Sequence, residues 1–175
     1  MLESDSTLEL AEGFELDELL DDESGFTADG QQFLTFTLQG EDYGIDILRV
    51  QEIRGYTKVR PIPNAPHHVR GVINLRGAVV PVIDLRARFG LEHVDYDEFT
   101  VIIVVMIGTK VIGLIVDAVS DVLNISESQI DETPELTGEV DTSFFAGLGR
   151  VGKKLILLLE LERLIEQELL TFDSV

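Results

Sequence analysis

The chain has no cysteine. Disulfides, thiolate chemistry and cysteine-ligated zinc or iron–sulfur centres are therefore excluded. Histidine is scarce as well: His67, His68 and His93 are the only three. His67-His68 sits in a proline-rich loop beside Arg70, without the acids or thiols of a metal site, and reads as a pair of exposed loop histidines. No metal and no cofactor is expected. The N-terminus, Met1-Leu2-Glu3-Ser4-Asp5, lacks the basic start of a secretory signal. The longest apolar run, Val101 to Ile107, has seven residues, and a membrane span needs about 20. These absences point to a soluble, cytoplasmic protein that does not itself insert into a membrane.

Catalytic signatures are missing too. There is no Gly-x-Ser-x-Gly elbow, no phosphate loop ending Gly-Lys-Ser/Thr and no Gly-x-Gly-x-x-Gly after a strand. The run Gly147-Leu148-Gly149-Arg150-Val151-Gly152 lacks the following helix that cradles a phosphate and reads as a turn. Asp84 follows the apolar stretch Val79 to Ile83 and has two readings. It is either a carboxyl with a raised pKa or the cap of a helical turn from Leu85 to Phe89, ended by Gly90. The lack of a second catalytic group favours the cap. A non-enzymatic protein is expected.

Bases are few: 13 against 33 acids, for a net charge of −20. That balance argues against binding nucleic acid or anionic lipid, which require clustered Lys and Arg. Residues 1–30 hold 11 acids and no base, the composition of a disordered tail. Residues 49–88 hold eight bases and only Glu52 and Asp84 as acids. This locally basic segment is either a solvated face or a surface for an acidic partner.

From Gln31 onward the chain reads as strands. Leu34, Phe36 and Leu38 alternate with polar residues, and Tyr43, Ile45 and Ile47 alternate after a turn at Gly40-Glu41-Asp42. Pro61, Pro63 and Pro66 rule out a central strand over residues 57–68, where Asn64 is placed to cap a short helical turn. Val72–Leu75 and Val79–Ile83 flank Arg76-Gly77, while Thr100–Ile107, Val111–Val116 and Leu155–Leu159 are further strands. Leu161, Leu164, Ile165 and Leu169 have the spacing of an amphipathic helix over about 160–170.

The same unit is used twice. Gly44 to Ile53 lies over Gly113 to Val122 at an offset of 69, and Gly71 and Val82 to Leu85 lie over Gly147 and Leu158 to Leu161 at an offset of 76. The expected fold is mainly β: two small five-stranded barrels, about 31–90 and 91–160, sharing an interface. Closure removes exposed strand edges, and a seam between two such units is a preferred binding place.

The segment Gly71-Val72-Ile73-Asn74-Leu75-Arg76-Gly77, followed by Val80-Pro81-Val82-Ile83-Asp84-Leu85-Arg86, closely resembles the signature of the CheW family, the coupling proteins of bacterial chemotaxis. Tyr43 to Ile53 and Val116 to Leu123 are similar to its first and second barrels. The resemblance covers about residues 31–170. The acidic extension before Gln31 departs from it.

The resemblance implies two SH3-like five-stranded barrels and an adaptor role. One surface is expected to bind the regulatory domain of the histidine kinase CheA. Another is expected to bind the cytoplasmic hairpin tip of a methyl-accepting chemoreceptor, through which the adaptor joins membrane-bound receptor arrays. The matching receptor-binding positions are Val50, Glu52, Gly71, Arg76 and Val122; the kinase-facing residues stay unassigned. A helical tip presents an apolar stripe, for Val50 and Val122 to meet, with Glu52 and Arg76 setting register. Gly71→Asp and Arg76→His are expected to weaken this contact while leaving the fold largely intact. Two other readings remain: a CheV-type adaptor domain detached from a receiver, and a small-ligand-binding double β-barrel.

Overall fold

The computed structural model of the chain describes residues 30–132 and 142–165. Of the predicted acidic tail only Gly30 falls within these residues, where it opens a strand. The described chain is mainly β. Its strands are β1 (Gly30–Leu38), β2 (Glu41–Asp46), β3 (Val50–Gly55), β4 (Val69–Leu75), β5 (Ala78–Asp84), β6 (Val101–Ile107), β7 (Lys110–Val116), β8 (Ala118–Ser126), β9 (Ile130–Asp131), β10 (Phe145–Val151) and β11 (Lys154–Leu159). Two short helices, α1 (Leu85–Arg88) and α2 (Leu161–Leu164), follow β5 and β11.

The strands form a six-stranded sheet in the order β8-β1-β2-β11-β10-β9 and a five-stranded sheet in the order β3-β6-β7-β5-β4. Hydrogen bonding does not follow the consecutive division near residue 90. The β1–β2 hairpin pairs with strands from the far end of the chain, and the β6–β7 hairpin inserts among β3, β4 and β5.

The internal repeat explains this exchange. At offset 69, β1, β2 and β3 correspond to β6, β7 and β8; at offset 76, β4 and β5 correspond to β10 and β11. Each sheet joins the hairpin of one repeat to the later strands of the other. The equivalence extends to single hydrogen bonds. Gly44 lies opposite Leu158 in the parallel β2–β11 pair, and Gly113 opposite Val82 in the parallel β5–β7 pair. A bulge separates Val69 from Gly71 on β4, and another separates Phe145 from Gly147 on β10. The Asp84 amide donates to the His68 carbonyl at 2.8 Å, and the Glu160 amide to the Phe144 carbonyl at 2.7 Å.

Three apolar layers result. The largest takes side chains from both sheets, among them Phe36, Ile45, Ile53, Ile103, Leu114 and Val122. A second, with Ile73, Val82, Ile102 and Val104, lies on the other face of the five-stranded sheet. A third, with Phe33, Ile125, Ile156 and Leu158, is its counterpart on the six-stranded sheet. β6 has a side chain in one layer or the other at nearly every position, so six of its seven residues are buried.

Four local expectations change. The glycine run from Gly147 is mostly not a turn: Gly147 to Val151 belong to strand β10, and only Gly152 lies in the turn that follows. Its glycines let Ile130 and Ile125 pack against the strand, since a Cβ at Gly147 would lie 2.8 Å from Ile130 Cγ2 and one at Gly149 3.2 Å from Ile125 Cδ1. Asn64 caps no helix; it sits in a turn with φ of 64°. His68 is buried, with 9% of its surface exposed, rather than a free loop side chain. The predicted terminal helix is described only as far as α2 and Ile165, with Leu161, Leu164 and Ile165 all buried; Leu169 lies outside the described residues.

Candidate functional site: a charged pair at the rim of the five-stranded sheet

Glu52 lies on β3 and Arg76 in the turn between β4 and β5. β3 and β4 are opposite edges of the same sheet, yet Arg76 Nη2 donates to Glu52 Oε1 at 2.5 Å. The sheet is therefore curled until one edge nears the turn beside the other. Glu52 stands opposite Val104 in the β3–β6 ladder, and residues directly opposite share a face. Its carboxylate thus points toward the second apolar layer, and its side chain is only 2% exposed. Oε2 is buried and has no hydrogen-bond partner among the described residues. Arg76 is 60% exposed and adopts φ of 50°, a conformation that costs a non-glycine residue some strain.

Gly71, on β4, plays a different part from the one expected of it. It is buried with φ of 146°, and a Cβ there would lie 1.9 Å from the Arg60 carbonyl oxygen. Its neighbour Val72 exchanges two backbone hydrogen bonds with Arg60, at 2.8 and 2.9 Å. Gly71 thus lets the 57–60 segment close against β4. It offers no surface, and Gly71→Asp cannot leave the fold intact.

Val50 and Val122 lie on β3 and β8, the edge strands of different sheets. Both pack on the layer shared by the sheets, Val50 partly buried and Val122 buried within it. The structure therefore joins Glu52 to Arg76, places Val50 beside Glu52 across a bulge in β3, and sets Val122 on the other sheet.

A second cluster was missed. Asp84, 1% exposed, accepts from the Arg86 and Ala87 amides at the start of α1, as its capping reading requires. It also accepts from Arg70 Nε and Nη2 at 3.3 and 3.2 Å and from the Tyr96 hydroxyl at 2.6 Å. Burial, followed by the bond to Asp84, raises the Tyr96 pKa, so this phenol stays protonated. Burial works against the Arg70 charge, but Tyr96 and Asp84 outweigh it and raise its pKa. Arg70 Nη2 lies 2.9 Å from His93 Nδ1. These bonds tie the 89–100 connector to the five-stranded sheet.

The basic segment is largely consumed within the fold. Arg70 and Arg76 are paired as described, Arg49 pairs with Glu162, and Arg86 holds Asp117 with bonds of 2.7 and 2.6 Å. Arg88 donates to the Leu164 carbonyl. Arg54, Lys58 and Arg60 form no ion pair among the described residues. The exposed apolar side chains include Leu48, 87% exposed, and the repeat-related Val79 and Leu155. Among the described residues no group of three or more His, Asp or Glu side chains is placed to hold a metal, and no helix is long and apolar enough to cross a membrane.

The structure thus shows a mainly β protein with a Glu52–Arg76 ion pair at the rim of its five-stranded sheet. The model of the CheW-like domain matches residues 32–169, and the chain belongs to that family. It is 50% identical over 139 residues to the chemotaxis protein CheW of Klebsiella aerogenes, covering 79% of this chain and 84% of that protein. It is 40% identical over 137 residues to a probable chemotaxis protein CheW of Rhizobium etli, covering 78% and 88%. The crystal structure of the scaffolding protein TtCheW from Thermoanaerobacter tengcongensis superposes with a TM-score of 0.74 at 38% identity, over 78% of this chain and 93% of that one.

Proposed function

We propose that this chain is a non-catalytic adaptor that couples methyl-accepting chemoreceptors to the regulatory domain of the histidine kinase CheA, and that it works in the cytoplasm at receptor arrays. The observation that carries the reading is the Glu52–Arg76 pair. It puts an exposed guanidinium at the rim of the sheet, anchored on a buried carboxylate, beside half-buried Val50. That combination suits a helical receptor tip: an apolar contact supplies affinity, and a fixed charge supplies register.

The direct test is titration calorimetry of the full chain against the regulatory domain of a CheA kinase from the same organism. Saturable one-to-one binding is expected. No heat and no complex by sedimentation, from a protein with a β-rich circular dichroism spectrum, would reject the adaptor reading.

Arg76 needs a test that separates binding from stability, since Arg76→His strands the buried Glu52 carboxylate. The substitution is expected to cost about 1–3 kcal/mol, the usual penalty of an unsatisfied buried group, and not to be neutral for the fold. Adding Glu52→Gln should return part of that stability. Receptor binding should stay weak in both variants. If the double variant binds receptor as wild type does, Arg76 has no role in recognition.

A further inference from the structure

The two repeats build the same corner twice and fill it differently. In the first copy Asp84 precedes α1, and Arg70, one residue before the bulge glycine Gly71, puts its guanidinium on the carboxylate. In the second copy Glu160 precedes α2 and Gly147 is the bulge glycine. The backbone bonds that fix the two corners are the matching pair noted above, Asp84 to His68 and Glu160 to Phe144. The residue in the place of Arg70 is Ala146.

Truncation at Ala146 leaves space. A cavity of about 350 Å³ opens here, lined by Phe33, Asp46, Ala146, Leu158, Glu160 and Glu162 among others. Glu160 makes no capping hydrogen bond with its side chain, unlike Asp84. Burial and a hydrogen bond with Glu162 raise the Glu160 pKa. Glu162 is lowered: burial opposes its ionisation, but its own backbone N–H, Glu160 and Arg49 outweigh that. Arg49 also lines the cavity, but its charge is engaged by Glu162. Asp46 is taken up in capping, accepting from the Leu48 amide at 2.9 Å, so Glu160 and Glu162 share one committed base.

We propose that this corner is an arginine socket, which takes an arginine side chain from a partner protein in the way Asp84 takes Arg70. The guanidinium would sit on Glu160, and its methylenes would run over Phe33 and Leu158. The chain cannot supply the cation from segments outside the described residues, because 1–29, 133–141 and 166–175 contain no Lys or Arg. Guanidinium suits the site better than ammonium. A planar fork matches a carboxylate and tolerates an apolar wall.

The test uses the full chain, isotope-labelled, titrated with Nα-acetyl-arginine amide and, separately, with the uncharged Nα-acetyl-citrulline amide. Saturable NMR shifts at Ala146, Leu159, Glu160 and Leu161 are expected with the arginine probe. The citrulline probe should bind roughly tenfold more weakly or worse, as should the arginine probe on Glu160→Gln. Ala146→Arg rebuilds the first copy's arrangement, so it should abolish probe binding and raise Tm. Equal binding of both probes, no saturable shift, or undiminished binding by Ala146→Arg would each overturn the socket. These readouts are independent of the adaptor reading. Concentration-dependent dimerisation of the wild type, lost in Glu160→Gln, would place the arginine on a second copy and overturn its assignment to a different protein.

Discussion

Gly71→Asp is expected to unfold the protein, or to lower its stability by more than about 4 kcal/mol, the range reserved for severe packing and backbone defects. The added Cβ meets the Arg60 carbonyl carbon at 2.5 Å and the Pro61 Cα at 2.9 Å, besides the oxygen at 1.9 Å. These are backbone atoms, so no rotamer change relieves the clash. The positive φ adds strain for any L side chain. Relief requires the 57–60 segment to leave β4, which breaks the two Arg60–Val72 bonds and uncovers Val59. Thermal unfolding followed by circular dichroism decides the matter. A Gly71→Asp protein with wild-type Tm would show that Gly71 is a surface residue after all.

Asp84→Ala is the second large effect, expected at about 3–5 kcal/mol, the cost of breaking a buried charge pair from one side. The substitution removes the acceptor of two amides, the Arg70 fork and the Tyr96 hydroxyl together. Arg70 has roughly a third of its side chain exposed, so it regains water and the loss falls toward the lower end. Asp84→Asn keeps an acceptor for the amides and should cost less than half as much. Equal losses for the two variants in urea unfolding would mean that the charge, and not the capping oxygen, is what the fold needs.

Much of the fold was legible because β-strands leave local signatures. The alternation at Leu34, Phe36 and Leu38 and the doubly apolar run from Val101 each gave a strand directly. The matched glycines Gly44 and Gly113 gave the repeat. Strand pairing was not legible in the same way. Nothing in the pattern of β1 and β2 shows that they meet β8 and β11, because pairing partners are chosen by tertiary packing. β10 was hidden for a related reason. Glycine usually signals a turn, and only the close approach of Ile125 and Ile130 reveals why it stands in a strand.

The candidate site divides along the same line. Resemblance pointed to Glu52 and Arg76, and the structure brings them together. It could not tell that Gly71 faces the Arg60 backbone, since a glycine at a binding surface and one under a crossing chain look alike in sequence. The Asp84 cluster was half visible: its role as a helix cap follows from Leu85 to Gly90, whereas Arg70 and Tyr96 reach it only through the fold.

The exchange of hairpins between the two repeats also bears on how the protein is made. On the ribosome β1 and β2 emerge before the other strands, but their neighbours β8 and β11 belong to the second repeat. The nascent N-terminal hairpin must therefore wait with the outer edge of β1 unpaired until β8 is made, and with that of β2 unpaired until β11 is made. Open edges of that kind recruit other strands. The first copy of the repeat can complete neither sheet until the second has been synthesised.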